Sequence, residues 1–422
     1  MSFQTGLSGL NASSRSLDVI GNNIANANTT GMKASRAEFS GLVSAALSSA
    51  SSGGTGIGVE VATVSQQFTQ GNISTTNNNL DVAINGSGFF QLTQPDGSPA
   101  YTRDGSFKLD KDGYLKTNSG AYLMGYPTDK AGTPTSVAIQ KLQLPTAAPI
   151  GANATTTITA EFNLDARVLD NAALTAAGTT TNARSKYGTS LNVYDEQGVA
   201  SPVNLYFEKD AAANTWNIFT GIDGVPNATD TYTALTPSLV FNPNGTILTP
   251  ATGTPLTISG GTITSRNPNE ATGKITADIN IDLSSITQFG TAFAVTNLTQ
   301  DGYTAGELTG LNIGDDGVIT AKYSNGQSQA AGQLALADFR NIQGLTPLGG
   351  NAWSATSESG LAVQGSPGNG KFGILRSGAL EESNVDLTSE LVNMMTAQRA
   401  YQANAQTIKT QDQIMTTLVN LR

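Results

Sequence analysis

Apolar side chains recur every seven residues at both ends of the chain. Near the start Phe3, Leu10, Leu17 and Ile24 keep that interval, with Leu7 four residues after Phe3, which predicts one apolar stripe on a helix. Near the finish Leu387, Met394, Tyr401, Ile408 and Met415 repeat the interval, joined at the offset position by Leu391 and Val419. Gly6, Gly9, Gly21, Ser14 and Gln398 weaken the two stripes, so neither helix is expected to be stable alone and each needs a partner. Asp386 is the expected cap of the second helix, with Glu390 in its first turn.

Between the ends, from about Asn72 to Gly370, the helical period gives way to short alternating runs broken by turn residues. Leu80 to Ile84 before Asn85-Gly86, Ser106 to Leu109 before Asp112-Gly113, and Val318 to Tyr323 before Asn325-Gly326 are expected strands, as are Val203 to Phe207, Trp216 to Thr220 and Ile275 to Ile281. Antiparallel hairpins and meanders account for this spacing. Pro145, Pro149 and Gly151 mark one crossing and the lull near Gly290 another, so the middle stretch reads as its own domain. Nesting of that domain within a second one is permitted by the chain order and not required by it.

The expected fold is mainly β with α-helical termini, in which paired N- and C-terminal helices form a coiled-coil-like core domain beside two nested antiparallel β-domains. Residues 1–30 with 386–422 make the helical core and 31–70 with 371–385 a connector. Residues 71–145 with 291–370 make an inner β-domain, and 146–290 an inserted outer one. Within the connector, the Ser-, Gly- and Ala-rich run from Ser44 to Gly58 reads as extended or mobile.

At 422 residues there is room for about three domains with proper cores. The absence of His and Cys removes Ser-His-Asp and Cys-His catalysis, imidazole or thiolate zinc sites and disulfides. The 22 Lys and Arg against 32 Asp and Glu leave a net charge of −10, the wrong sign for neutralising phosphates, so nucleic acid and anionic membrane are poor partners. Only 13% of residues are charged, about half the usual share, which implies a polar but uncharged surface suited to broad protein contacts. No apolar run is long enough for membrane insertion, and the first basic residue, Arg15, comes too late for a cleaved signal peptide.

Three local motifs invite chemistry and are each better read as ordinary structure. Gly365, Gly370 and Lys371 start a phosphate-loop pattern, but Phe372 stands where the magnesium-binding hydroxyl belongs. Asp110, Asp112 and Gly113 echo a calcium loop, yet Lys108 and Ser119 occupy its first and last ligand positions, leaving a hairpin turn. Glu381 and Glu382 are adjacent carboxylates whose side chains point apart, and both are expected to be solvated. No catalytic, cofactor-binding or metal-ligating residue is assigned. The helical stripes fit either a subunit's own core or a seam between subunits.

Residues 7–33, LSGLNASSRSLDVIGNNIANANTTGMK, closely resemble the N-terminal signature of the bacterial flagellar rod and hook proteins, matching at Asn22, Asn23, Ile24, Ala25, Asn26, Thr30, Gly31 and Lys33. Residues 380–422 resemble the C-terminal signature of the same family. Met32 departs from the aromatic residue common before that lysine. Distal rod members share the termini but lack a large inserted domain, so the length resembles the hook members. The resemblance covers both termini and the first β-domain.

It implies a non-catalytic subunit of the extracellular flagellum, exported without a cleaved signal peptide and polymerised with copies of itself into a curved tube between rod and filament. It also implies as partners the distal rod protein, the hook cap protein, the hook–filament junction protein and the export apparatus. On this resemblance Phe3, Leu7, Leu10, Leu17, Ile24, Leu387, Leu391, Met394, Tyr401, Ile408, Met415 and Val419 are assembly residues. Another axial flagellar protein, a secreted β-rich adhesin or a carbohydrate-active enzyme are the competing readings.

Overall fold

A computed structural model describes residues 2–43, 56–145, 149–170, 187–221, 233–251, 254–258 and 278–420. The chain is mainly β with one helix at each end, Ser2–Ala25 and Leu387–Asn420. It divides into two compact units: the first joins Met1–Ala147, Thr309–Lys322 and Ser328–Arg422, and the second joins Ala148–Leu308 and Tyr323–Gln327.

In the first unit, Phe89–Thr93 pairs antiparallel with both Pro99–Thr102 and Tyr122–Tyr126. Strands from the far end of the sequence extend this sheet on both sides: Ser328–Leu334 pairs with Tyr122–Tyr126, and Ala352–Ser354 with Pro99–Thr102. Strand alternation sends neighbouring rings to opposite faces. Phe90 joins Val82, Ile84, Leu123, Leu334 and Leu375 in the larger core, while Phe89 packs with Tyr101, Phe339 and Trp353 in a smaller one. Edge-on contacts of Phe89 with Phe68, Phe339 and Trp353, centroids 5.6, 6.1 and 5.7 Å apart, fill the smaller cluster.

Asp112-Gly113 makes the tight turn its sequence calls for, with Gly113 at φ 83° and its amide donating to the Asp110 carbonyl. Asn85-Gly86 does not form a hairpin between adjacent strands. Val82–Asn85 pairs instead with Ile374–Ser377, far along the chain, because burial of Val82, Ala83 and Ile84 against the core outweighs local closure.

The stretch expected to be a connector contains regular structure. Ser35–Val43 pairs antiparallel with Gly56–Gln66, and Ala379–Glu381 pairs with Ile73–Thr75. Of the run from Ser44 to Gly58, residues 44–55 lie outside the described part and Gly56 to Gly58 open the second strand of this pair.

Among the described residues the second unit holds two five-stranded sheets over one core. Gly188–Tyr194, Ala200–Lys209, Thr215–Gly221, Thr233–Phe241 and Ile247–Thr249 form an antiparallel meander. Alternate residues Val203, Leu205 and Phe207 of this sheet meet Ile158, Ala160, Phe162 and Leu164 of the other. The expectation of purely antiparallel pairing fails in that other sheet, where Ile279–Asp282 and Thr287–Phe289 run parallel to Thr157–Asp165. In Ile279–Asp282 the alternation buries Ile279 and Ile281 and is satisfied by either strand direction, whereas in Thr287–Phe289 the polar Gln288 is buried and Phe289 is exposed, so the apolar pattern does not specify that strand. The unit also continues past Gly290, since Ala294–Gln300 completes the sheet against Thr157–Asp165. Of the strand expected from Ile275 to Ile281, residues 275–277 lie outside the described part and Ile279–Asp282 is strand.

Candidate assembly interface

The two terminal helices run antiparallel. Gly6 faces Ile408 and Gly9 faces Asn404, while further along a groove between them is lined by Val19 and Ile20 on one side and Asn393 and Ala397 on the other. The approach is close because the first helix turns small residues toward the second: a Cβ on Gly9 would lie 2.8 Å from Asn404 Nδ2, and one on Gly6 3.1 Å from Ile408 Cγ1. Ser13, between them on the same face, is buried and donates to its own helix at the Gly9 carbonyl, 2.8 Å away. Asp386 caps the second helix, accepting from the amides of Thr388 at 2.8 Å and Ser389 at 3.3 Å.

The buried face of the first helix is therefore Gly6, Ser13, Ile20 and Asn23, not the stripe read from apolar periodicity. Phe3 and Leu7 are exposed, and Leu10, Leu17 and Ile24 are half-buried. On the second helix Met394 and Ile408 are half-buried, whereas Leu387, Leu391, Tyr401 and Met415 are exposed, Leu391 by 50%. The side chain of Val419 lies outside the described part. Val392, Met395 and Ile414 are exposed as well. A single chain thus leaves much of the apolar surface of both helices without cover.

The signature residues do different work, at the place where the helices meet the β-structure. Asn22 and Ala25 are exposed; Asn26 ends the helix, its amide donating to the Asn22 carbonyl at 3.1 Å and its side-chain Nδ2 to the same carbonyl at 3.0 Å. Asn23 is buried and bonds Ser35 both ways, Nδ2 to the carbonyl at 2.8 Å and Oδ1 from the amide at 2.9 Å. The Thr30 carbonyl accepts from Asn351 Nδ2 at 2.7 Å. Gly31 adopts φ 70°, and a Cβ there would come within 2.5 Å of the Asp104 amide nitrogen, so this position needs glycine twice over.

Lys33 is 1% exposed. Its Nζ donates to Glu381 Oε1 at 2.6 Å and to the Thr69 carbonyl at 2.8 Å. Glu381, with no exposed surface, also receives Arg103 at 3.2 Å and the Gly71 amide at 2.9 Å. Arg103 donates further to the Gly86 carbonyl at 2.9 Å and stacks over Phe89, 5.3 Å from the ring centroid. Burial holds the Lys33 ammonium below its ordinary pKa; the Glu381 charge and hydrogen bond oppose that shift, and Arg103 reinforces it.

The expectation that both Glu381 and Glu382 are solvated is corrected: Glu382 is exposed and Glu381 is not. The strand Ala379–Glu381 alternates inward and outward, which turns Ala379 and Glu381 into the protein and Leu380 toward the surface. Arg103, Asn351 and Asn384 were not singled out from the sequence. A signal was present for Arg103, a cation directly after the β-forming pair Tyr101-Thr102 in a chain poor in charge.

A mainly β body closed by two paired terminal helices, with apolar side chains left bare along those helices, is the build of a structural subunit that associates with other chains. Four family descriptions match in chain order. They are flagella basal body rod protein over residues 3–33, flagellar hook protein FlgE/F/G D1 domain over 83–161, flagellar basal body protein FlaE D2 domain over 163–303, and flagellar basal body rod FlgEFG protein C-terminal over 376–421.

The chain is 42% identical over 426 residues to the flagellar hook protein FlgE of Salmonella typhimurium, with both chains covered in full. It is also 42% identical over 427 residues to that of Escherichia coli K12, again with full coverage. To the flagellar hook protein FlgE of Rhizobium meliloti it is 35% identical, covering all of this chain and 98% of the relative. The chain belongs to the flagellar hook protein family. The crystal structure of Helicobacter pylori flagellar hook protein FlgE2 is similar in fold, with a TM-score of 0.53 at 15% identity over 73% of this chain and 100% of that one.

Proposed function

We propose that the chain is a structural subunit of the extracellular flagellar hook, joined to the basal body, and that it polymerises with copies of itself into a curved, flexible tube carrying torque from rod to filament. The observation that carries this reading is the bare apolar surface of both terminal helices in a chain whose full length aligns with hook proteins. Leu387, Leu391, Tyr401 and Met415, with Phe3 and Leu7, are the side chains that neighbouring subunits cover, and the helix pair extends there into a coiled-coil-like inner core. An interface of two different patches whose rotation does not close generates an open helical polymer, as a tube requires. The low charge content suits bending, because few strong ion pairs need to break as neighbouring subunits slide.

Export without a cleaved signal peptide, and end contacts with the distal rod, hook cap and hook–filament junction proteins, follow from the same reading. Among the described residues no helix is long and apolar enough to cross a membrane. The test is electron microscopy of the purified, concentrated protein. Tubes are expected, and their absence under every condition that polymerises a related hook protein would sink the proposal.

A further inference from the structure

Glu381 and Asn384 satisfy buried and part-buried groups from three separate parts of the first unit. From residues 31–34 they take the Gly31 amide, on the Glu381 carbonyl at 2.8 Å, the Lys33 ammonium, and the Ala34 amide, on Asn384 Oδ1 at 2.7 Å. From the stretch after Gly56–Gln66 they take the Gly71 amide and the Gln67 carbonyl, the latter bonded by Asn384 Nδ2 at 2.7 Å. From the β-body they take Arg103. The network continues into the first helix, since Ala34 is followed by Ser35, which Asn23 holds on both sides. It continues into the second helix two residues after Asn384, where Asp386 caps Leu387–Asn420.

We infer that Glu381 and Asn384 form a two-ended lock that fixes the terminal helix pair to the β-body, and that it closes only when residues 31–34 and 381–384 are both in place. The physical reason is the state left behind when one end is missing. Without Glu381, Lys33 keeps only the Thr69 carbonyl and Arg103 only the Gly86 carbonyl as hydrogen-bond partners, two buried cations with no carboxylate bonded to them. Without Asn384, the Ala34 amide and the Gln67 carbonyl lose side-chain partners together, although the Gln67 amide still reaches the Ala34 carbonyl at 2.8 Å. An open junction lets water reach these groups, so loss of either residue favours opening there rather than strain within the sheets.

The lock is a property of the single subunit. Its role in passing load between helices and body rests on the hook reading, but its test does not, so failure of one leaves the other standing. The experiment is hydrogen exchange read by mass spectrometry on full-length monomer: parent, Glu381→Gln, Asn384→Ala, Lys33→Met and the Lys33→Met/Glu381→Gln pair. Glu381→Gln is expected to speed exchange in peptides covering 30–36 and 66–72 on the order of a hundredfold. Exchange in 89–93 and 122–126, strands of the β-body, stays at the parent rate. The double variant is expected to exchange no faster than Glu381→Gln, because the two residues act through one contact.

Parent-like exchange in 30–36 and 66–72 would overturn the inference. So would acceleration shared equally by 89–93 and 122–126, which would make the cluster part of general core stability. If Glu381→Gln does not fold, Asn384→Ala strands no charge, and the same peptides decide by the same two outcomes.

Discussion

Lys33 Nζ lies 2.6 Å from Glu381 Oε1 across 348 positions of sequence, and neither side chain has appreciable contact with solvent. A carboxylate shared by two cations and a backbone amide is an unequal triad. Removing the anion leaves two buried positive charges, whereas removing Lys33 leaves Glu381 still paired with Arg103. Glu381→Gln is therefore expected to weaken the junction by roughly 3 kcal/mol and Lys33→Met by no more than about 2 kcal/mol. Hydrogen exchange of residues 30–36 in the two variants checks the order; equal acceleration would show that Arg103 contributes nothing to holding the carboxylate.

Gly31 and Gly21 give a paired prediction. At Gly31, φ 70° and the 2.5 Å approach to the Asp104 nitrogen make Gly31→Ala costly, by more than about 1 kcal/mol. Gly21 lies inside the helix Ser2–Ala25 with nothing within 4 Å of its would-be Cβ, so Gly21→Ala is expected to stabilise by roughly 0.5–1 kcal/mol. Thermal midpoints moving in opposite directions would agree with this account, and a gain from Gly31→Ala would refute it.

Leu391 and Ile408 are predicted to part company although they belong to the same apolar pattern. Leu391 is exposed in the single chain, so Leu391→Asp should block tube formation while leaving the helical and β signals of the monomer intact. Ile408 packs on Gly6, so Ile408→Asp should in addition loosen the helix pair and lower monomer helicity. Circular dichroism with sedimentation separates the two outcomes. Normal tubes from Leu391→Asp would remove this residue from the assembly surface.

Asp301 supplies the pH prediction for the second unit. Burial alone would raise its pKa, but the Thr156 hydroxyl and the Thr156 and Thr157 amides outweigh it and hold the carboxyl below the ordinary 3.8. A folded value below the unfolded one means the stabilisation is present above 3.8 and is lost as pH falls through the folded value. Asp301→Asn should lower the denaturation midpoint near neutrality, and the gap to the parent should hold until the pH falls to 3.8 and shrink below it. A gap that stays constant down to pH 2 would contradict the assignment.

How much of this was legible in the sequence depends on the range over which each signal acts. The positions of the two helices, the cap at Asp386, the turn at Asp112-Gly113 and the mainly β body are set by local periodicity and turn chemistry, which a linear reading captures. The long matches at the two termini carried the family. The apolar stripes were also visible, but their role was not, because periodicity measures which face is apolar and says nothing of what covers it. In the structure small residues, Gly6, Gly9 and Ser13, take the contact between helices, since only they let two backbones approach closely, and the larger apolar side chains are left for other chains.

Tertiary structure alone decided the pairings that join distant segments. Val82–Asn85 could have closed locally on its Asn-Gly turn and instead pairs with Ile374–Ser377. The parallel strand Ile279–Asp282 beside Thr157–Asp165 obeys the same alternation as an antiparallel one. Glu381 looked like one of two solvated carboxylates until a buried lysine and a buried arginine from elsewhere in the chain came to meet it. The sequence by itself determined what each short segment is, because a residue's neighbours fix its backbone preference and its apolar face. Which segments meet, and which charges become buried, were decided only in the folded chain, since an ion pair's worth depends on the solvent removed around it and no linear pattern records that removal.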